Sequence, residues 1–399
     1  MMTKTKTKRS DPKKSKPKAS AAAGKQKGSF SRVAFVAVIL VILLGYYLVT
    51  GTDPLELLDP GQVIIPPTDG WWQVYFTDPQ RINDPEELQG SIPGVLIDYI
   101  DAAQRSIHIA AFEFDLPQVA EALIAAHRRG VEVRWVTDDE HGIEADEDDV
   151  LELFAKLEKA GIQVKDDGRG GLMHNKFWIF DDQTVWTGST NITANGSFRN
   201  NNNVLVIDDP ALAAIYEREF AEMWAGEFGP TSPSTVYDQA VVIDGTPVQV
   251  LFAAEDEVAG RLTTLIEGAH SSIRFMAFSF THDEIGGAVL ARARAGVDVK
   301  GIFETRGSET EYSEMPALYC ARVPVRQDGN PGTFHHKVFV IDEEMVVTGS
   351  LNFSENADKS NDENVIIVTN PDIAARYLQE FERRWAEATQ PDSSDVKCR

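Results

Sequence analysis

The chain repeats one alternation of apolar and polar positions. Residues 96–138, "LIDYIDAAQRSIHIAAFEFDLPQVAEALIAAHRRGVEVRWVTD", align without a gap on residues 262–304, "LTTLIEGAHSSIRFMAFSFTHDEIGGAVLARARAGVDVKGIFE". Each copy reads as a helix, an apolar strand (Ser106–Phe114; Ser272–Phe280), an amphipathic helix closed by a glycine (Gly130; Gly296) and a further strand. Helices alternating with strands predict α/β lobes, two α/β/α sandwiches in tandem related by a pseudo-twofold axis.

A second pair of segments extends the repeat. "HNKFWIFDDQTVWTGSTN", residues 174–191, matches "HHKVFVIDEEMVVTGSLN", residues 335–352. In both, an apolar strand runs into a polar turn, and Gly-Ser-x-Asn lies on or after the returning strand. Residues two apart on a strand share a face, so His174 and Lys176 point together, as do His335 and Lys337. Ser189 and Asn191 share a face by the same rule. The layout is a first lobe over 71–228, a linker over 229–246, a second lobe over 247–388 and a tail over 389–399. One site at the lobe boundary would take one motif from each half.

Ahead of the lobes, residues 33–52 carry no charge and are apolar nearly throughout. About twenty such residues can span a bilayer as one helix. Residues 1–32 hold eleven Lys or Arg and one acid, which predicts a disordered tail on the cytoplasmic side. A cleaved signal peptide is the competing reading, but no small-x-small pattern follows the run. Residues 53–70, rich in Pro, Asp and Gly, read as a stalk, so the lobes are expected outside the cytoplasm.

Charge narrows the partners. From residue 33 onward there are 27 basic and 61 acidic side chains, a net −34. Such a field repels polyanions and argues against broad coating by nucleic acid, though a local cationic cleft would be compatible with it. The two cysteines, Cys320 and Cys398, could pair in an oxidising compartment or stay free. No cysteine cluster suggests a metal site, and no cofactor is expected.

Two facing motifs would gather two imidazoles, two ammonium groups and two amides, a donor-rich site for a tetrahedral anion. A phosphodiester suits it. One neutral histidine attacks phosphorus, the other protonates the leaving alcohol, and Lys176, Lys337, Ser189, Ser350, Asn191 and Asn352 hold the phosphate oxygens.

Two copies of His-x-Lys, four residues, Asp, six residues, Gly-Ser-x-Asn resemble the twin HKD motifs of the phospholipase D superfamily, over about residues 72–388. The resemblance implies metal-independent catalysis through a phosphohistidine, with His174 as nucleophile and His335 as general acid and base. It also brings Asp181 and Asp342 into the catalytic set, although as turn residues they are better read as bracing the motif's own loop. Family members often carry an acid after each motif that orients an imidazole. Here "NNNNVLVI" at Asn200 aligns with "SNDENVIIV" at Ser360, setting Asn202 opposite Glu363, so only the second half has the acid. If it reaches across the boundary, Glu363 holds His174, and the support of His335 is in doubt.

The superfamily includes lipid and nucleic-acid phosphodiesterases. The leading expectation is a membrane-anchored enzyme, monomeric with both motifs in one chain, acting on phospholipid head groups in a bacterial envelope. The alternative is a nuclease, with "SFRNNNN" lining a groove for DNA or RNA. Asn191 and Asn352 lie in Asn-x-Ser/Thr sequons, and a glycan there would block the site, which favours a bacterial setting. The other histidines (His108, His127, His141, His270, His282) are read as structural, and His336 as pointing away from His335. Phe112–Phe114 and Phe278–Phe280 could sit near the pocket but are better read as core strand, and Trp71 and Trp72 as either lobe packing or a membrane contact.

Overall fold

The computed structural model describes residues 70–147, 150–234, 237 and 239–398. The basic tail, the apolar run at 33–52 and the stalk up to residue 69 lie outside the described residues. Among the described residues, no helix is long and apolar enough to cross a membrane.

The first lobe is built on β1 (Trp72–Phe76), β2 (Ser106–Ala111), β3 (Glu132–Thr137), β4 (Gln163–Asp166), β5 (Lys176–Phe180), β6 (Thr184–Gly188) and β7 (Asn203–Asp208). They form one sheet in the order β1-β7-β6-β5-β2-β3-β4. Its helices are α1 (Ile92–Ala102), α2 (Pro117–Arg128), α3 (Leu153–Lys159), α4 (Ala194–Phe198) and α5 (Pro210–Ala225). The second lobe has β8 (Ala240–Ile243), β9 (Thr246–Ala253), β10 (Ser272–Ala277), β11 (Asp298–Phe303), β12 (Val325–Gln327), β13 (Lys337–Ile341), β14 (Met345–Gly349) and β15 (Glu363–Thr369), ordered β12-β11-β10-β13-β14-β15-β9-β8. Its helices are α6 (Val258–Glu267), α7 (Asp283–Arg294), α8 (Met315–Cys320), α9 (Glu355–Lys359) and α10 (Pro371–Glu387).

Motif strands β5 and β13 sit in mid-sheet and are apolar on both faces, as buried central strands must be. Alternation divides them between cores. Phe177 and Ile179 join Tyr216 and Phe220 of α5 in a central core that also holds Val338 and Val340 of β13 and Tyr377 and Phe381 of α10. Trp178 and Phe180 turn to the outer core of the first lobe, with Leu96 and Leu123. Phe339 and Ile341 turn to that of the second, with Leu262 and Val289. The central core is continuous across the two lobes, which sets the motif strands facing one another.

Two stretches depart from the sequence reading, and the tail follows its paired-cysteine alternative. Residues 240–246, expected as linker, form β8 and the first residue of β9; a tight turn at Asp244-Gly245, both at positive φ, closes the hairpin. The expected strands Ser106–Phe114 and Ser272–Phe280 stop at Ala111 and Ala277, and Phe114 and Phe280 make isolated bridges to Ile192 and Phe353. The tail after residue 388 is tied down: Thr389 pairs with Gln327, and Cys398 forms a disulfide with Cys320. Trp71 and Trp72 are partly buried and pack on the central core.

Candidate active site

The motif turns come first. Asp181 and Asp182 both have positive φ, as do Asp342 and Glu343, giving tight turns between β5 and β6 and between β13 and β14. Short polar residues tolerate that backbone region best. The Asp181 carboxylate accepts the backbone N–H groups of Gln104, Arg105 and Ser106, and Asp342 accepts those of His270, Ser271 and Ser272. These bonds hold both carboxyls below the usual carboxylate range, that of Asp342 at about 2. Each aspartate stands beyond the far end of a five-residue strand from its histidine, about 23 Å along the chain. Their place in the catalytic set is therefore corrected: they pin the turn to the start of β2 or β10.

The motif glycines answer to a close approach. Gly188 and Gly349 have φ of 149° and 155°, and a Cβ on either would strike the backbone carbonyl of Asn203 or Asn364 on the neighbouring strand. The next residue, Ser189 or Ser350, is fully buried. Ser189 Oγ donates to Asn202 Oδ1 (2.8 Å) and Ser350 Oγ donates to Glu363 Oε2 (2.6 Å). Each hydroxyl also accepts a backbone N–H, from Asn203 or Asn364. With the single hydroxyl proton used and no exposure, neither serine can hold a phosphate oxygen. The expectation of phosphate binding by Ser189 and Ser350 is corrected: they fix the groups that hold the histidines.

Those groups cross the lobe boundary. Nδ1 of His174 lies 2.8 Å from Oε2 of Glu363, and Nδ1 of His335 lies 2.9 Å from Oδ1 of Asn202. The backbone obeys the same symmetry, with His174 N–H donating to Asp362 O and His335 N–H to Asn201 O, both at 2.9 Å. Behind them, Thr187 Oγ1 donates to Asn364 Oδ1 (2.6 Å) and Thr348 Oγ1 to Asn203 Oδ1 (2.9 Å). Asn202 thus fills the place of the missing acid with a neutral acceptor. An acceptor on Nδ1 puts the remaining proton there and leaves Nε2 for the cavity.

Lys176 and Lys337 are buried beside the histidines, donating to the carbonyls of His174 (2.7 Å) and His335 (2.8 Å). Their ammonium groups lie over the rings of Phe112 (5.0 Å) and Phe278 (4.8 Å). Burial lowers the Lys176 pKa to about 8 and that of Lys337 well below its ordinary value. Burial, reinforced by the two lysines, also drives both histidines well below the usual imidazole range, so they are neutral when the site is empty. Burial pushes the Glu363 carboxyl up to about 7 against the pull of Lys176.

A cavity of about 560 Å³ opens over this pair. His174, His335, Asn191 and Phe278 line it, and Asn352 is half-buried. Phe278, expected as core strand, is joined there by four more residues read as core or structural: Phe112, Glu113, Phe114 and His141. Phe112 meets the His174 ring edge-on at 4.7 Å, Glu113 Oε2 accepts from Asn191 Nδ2 at 2.7 Å, and His141 packs on Phe112 at 4.9 Å. The signal for Glu113 was present in the repeat, which has Ser279 at the matching place. Of the asparagine run, only Asn200 lines the cavity; Asn201, Asn202 and Asn203 are buried.

The remaining histidines are elsewhere. His108 bonds Glu217 and Glu132, His282 is buried against α9, and His336 contacts Asn203 and Glu380. Asp138, Asp139 and Asp167 bring their carboxylates within 4.8 Å of one another. Asp138 is already engaged by the N–H groups of His141 and Met173, and Asp167 lies 3.3 Å from Arg169 Nε. They brace the loop that leads to His174.

A family model described as "Cardiolipin synthase, PLD-like domain" matches residues 96–224 and again 262–385, one match per lobe. The chain is 35% identical over 130 residues to a mitochondrial cardiolipin hydrolase of Xenopus tropicalis, covering 33% of this chain and 59% of that protein. It is 36% identical over 121 residues to a phospholipase D of Rickettsia bellii, covering 30% of this chain and 60% of that protein. The chain thus spans somewhat over half the length of these relatives. In fold alone it is similar to a phosphatidylserine synthase of Haemophilus influenzae, with a TM-score of 0.58 at 13% identity over 82% of this chain and 89% of that one.

Proposed function

The chain belongs to the phospholipase D superfamily, and from that premise we propose that it is a phosphodiesterase that opens phospholipid head-group esters by hydrolysis or by transfer to an alcohol, through a phosphohistidine and without a metal. The observation that carries this is the pair of cavity-facing histidines, each held through Nδ1 from the opposite lobe with a buried lysine beside it.

The unequal acceptors divide the roles. When Nε2 of His174 bonds phosphorus its ring becomes cationic, and the Glu363 carboxylate on Nδ1 compensates that charge. His335 takes up a proton at Nε2 as the phosphodiester anion binds; on a neutral amide that charge is not compensated, so the proton passes readily to the leaving oxygen. Water or an alcohol then returns a proton to His335 as it attacks phosphorus, and His174 is released. Lys176, Lys337, Asn191 and Asn352 hold the non-bridging oxygens as charge develops, while the rings of Phe112 and Phe278 keep bulk water from the histidines.

Lipid is preferred over nucleic acid because the net charge is −34 from residue 33 onward, and because three of the four asparagines expected to line a groove are buried. The uncharged run at 33–52 behind a basic tail supports an anchor in the envelope membrane with the lobes on its outer side.

The test is the full chain in detergent beside its His174→Asn variant, both in EDTA, given mixed phospholipid vesicles and, separately, single- and double-stranded DNA. Phosphatidic acid or a transfer product from the wild type alone supports the reading. Cleaved DNA with intact vesicles makes the protein a nuclease, and loss of all activity in EDTA removes the metal-free mechanism.

A further inference from the structure

The two walls of the cavity are not alike. The second lobe presents Phe278, and at the position that repeats Glu113 it has Ser279. The first lobe presents Glu113 itself, with Asp115 and Asp146 on the same wall. Asp115 and Asp146 are engaged by backbone N–H groups, of Ala194 and of Leu153 and Phe154. Glu113 is held differently, by one bond of 2.7 Å from Asn191, the motif amide beside His174. The segment that follows, residues 138–152, contains nine acids among fifteen residues, whereas the repeat counterpart at 304–318 contains four. His141, Gly142, Ala145 and Asp146 of that segment reach the cavity.

We propose that Glu113 is a specificity-determining residue that, with this acidic wall, admits an isolated phosphodiester and rejects a substrate carrying a second phosphate next to the scissile one. The inference rests on the phosphodiesterase reading and sharpens its substrate class. The scissile phosphate is drawn to the histidines that line the cavity and to the lysines buried beside them. Attack by His174 sends the leaving group toward His335, so the retained group is left the first-lobe wall. A further phosphate on that group meets Glu113, and like charges at such range in a partly buried site cost about tenfold or more in productive binding. A polynucleotide, whose retained group carries a further phosphate, bears this penalty; a phospholipid whose retained group carries none escapes it.

The test uses the full chain with two chromogenic esters that differ by one phosphate: thymidine 5′-(p-nitrophenyl phosphate) and the same compound bearing a 3′-phosphate. The expected kcat/KM is lower for the 3′-phosphorylated ester by about tenfold in the wild type, and the ratio shrinks with added salt. Glu113→Ser, which installs the residue of the second lobe, should bring the ratio to within about threefold of unity, and Glu113→Asp should keep most of it. Reading the ratio within each variant cancels any general loss of turnover or of folded protein. A wild type without preference, or a Glu113→Ser variant with the wild-type ratio, overturns the inference. A wild type that releases no more nitrophenolate from either ester than His174→Asn does instead removes the phosphodiesterase reading, and this inference with it.

Discussion

Nδ1 of His174 stands 2.8 Å from Oε2 of Glu363, a carboxylate contributed by the opposite lobe. The symmetry-related contact, His335 to Asn202, has the same length within 0.1 Å but no charge. At the histidines the pseudo-twofold is therefore kept by the backbone bonds, both 2.9 Å, and broken in electrostatics.

Glu363→Gln keeps an acceptor oxygen near His174 and removes the charge that compensates the phosphorylated ring. The expected result is a loss of about a hundredfold or more in kcat with little change in KM. Asn202→Ala removes an acceptor that was already neutral and should slow turnover less. Steady-state kinetics on both, with thermal melts to show that each is folded, decide it. The reverse order would contradict the division of roles.

Thr187 and Asn364 test the lobe boundary. Thr187 Oγ1 donates to Asn364 Oδ1 at 2.6 Å, and both residues are buried. Thr187→Val keeps the shape and leaves that oxygen without its donor, at a cost of about 1–3 kcal/mol. Urea unfolding should show the loss as a lower midpoint with an unchanged slope. A midpoint equal to wild type would mean that the interior supplies another donor.

The disulfide between Cys320 and Cys398 closes a sequence separation of 78 residues, and neither cysteine lines the cavity. Cross-links of that span stabilise by about 2–4 kcal/mol, chiefly by constraining the unfolded chain. Cys398→Ala should lower Tm while leaving kcat/KM at the wild-type value. A matching fall in kcat/KM would show that the tail supports the site.

The histidines and lysines were legible because strand periodicity and an internal repeat are both one-dimensional signals: His174 and Lys176 share a face whatever the lobes do. The Glu363–His174 contact was legible only by adding the twofold to the alignment. The same face rule misled for Ser189 and Ser350, since it says which way a side chain points but not that Asn202 or Glu363 covers it. Glu113 reads as core strand because it sits in an apolar run, and His141 as structural because it sits in an acidic loop. Their place in the cavity depends on chain that bends out of β2 and β3, which no local pattern marks. The β8 hairpin was the more avoidable miss, for Asp244-Gly245 between alternating apolar residues is a turn signal in its own right.

The pH profile follows from the two groups whose shifts bracket neutrality. Glu363 takes up a proton as pH falls through about 7 and then no longer compensates charge on His174, so kcat/KM is present above that pH and lost below it. Lys176 loses its proton as pH rises through about 8 and with it the attraction for the phosphate, so kcat/KM is lost above that pH. Because kcat/KM reports the free enzyme, the expected profile is a narrow bell between these limbs. The profile of kcat should be broader on the alkaline side, since a bound phosphodiester anion favours the charged ammonium. Glu363→Gln should abolish the acid limb near 7 and leave the alkaline limb in place. An acid limb unchanged in Glu363→Gln would assign it to another group and detach Glu363 from the pH dependence.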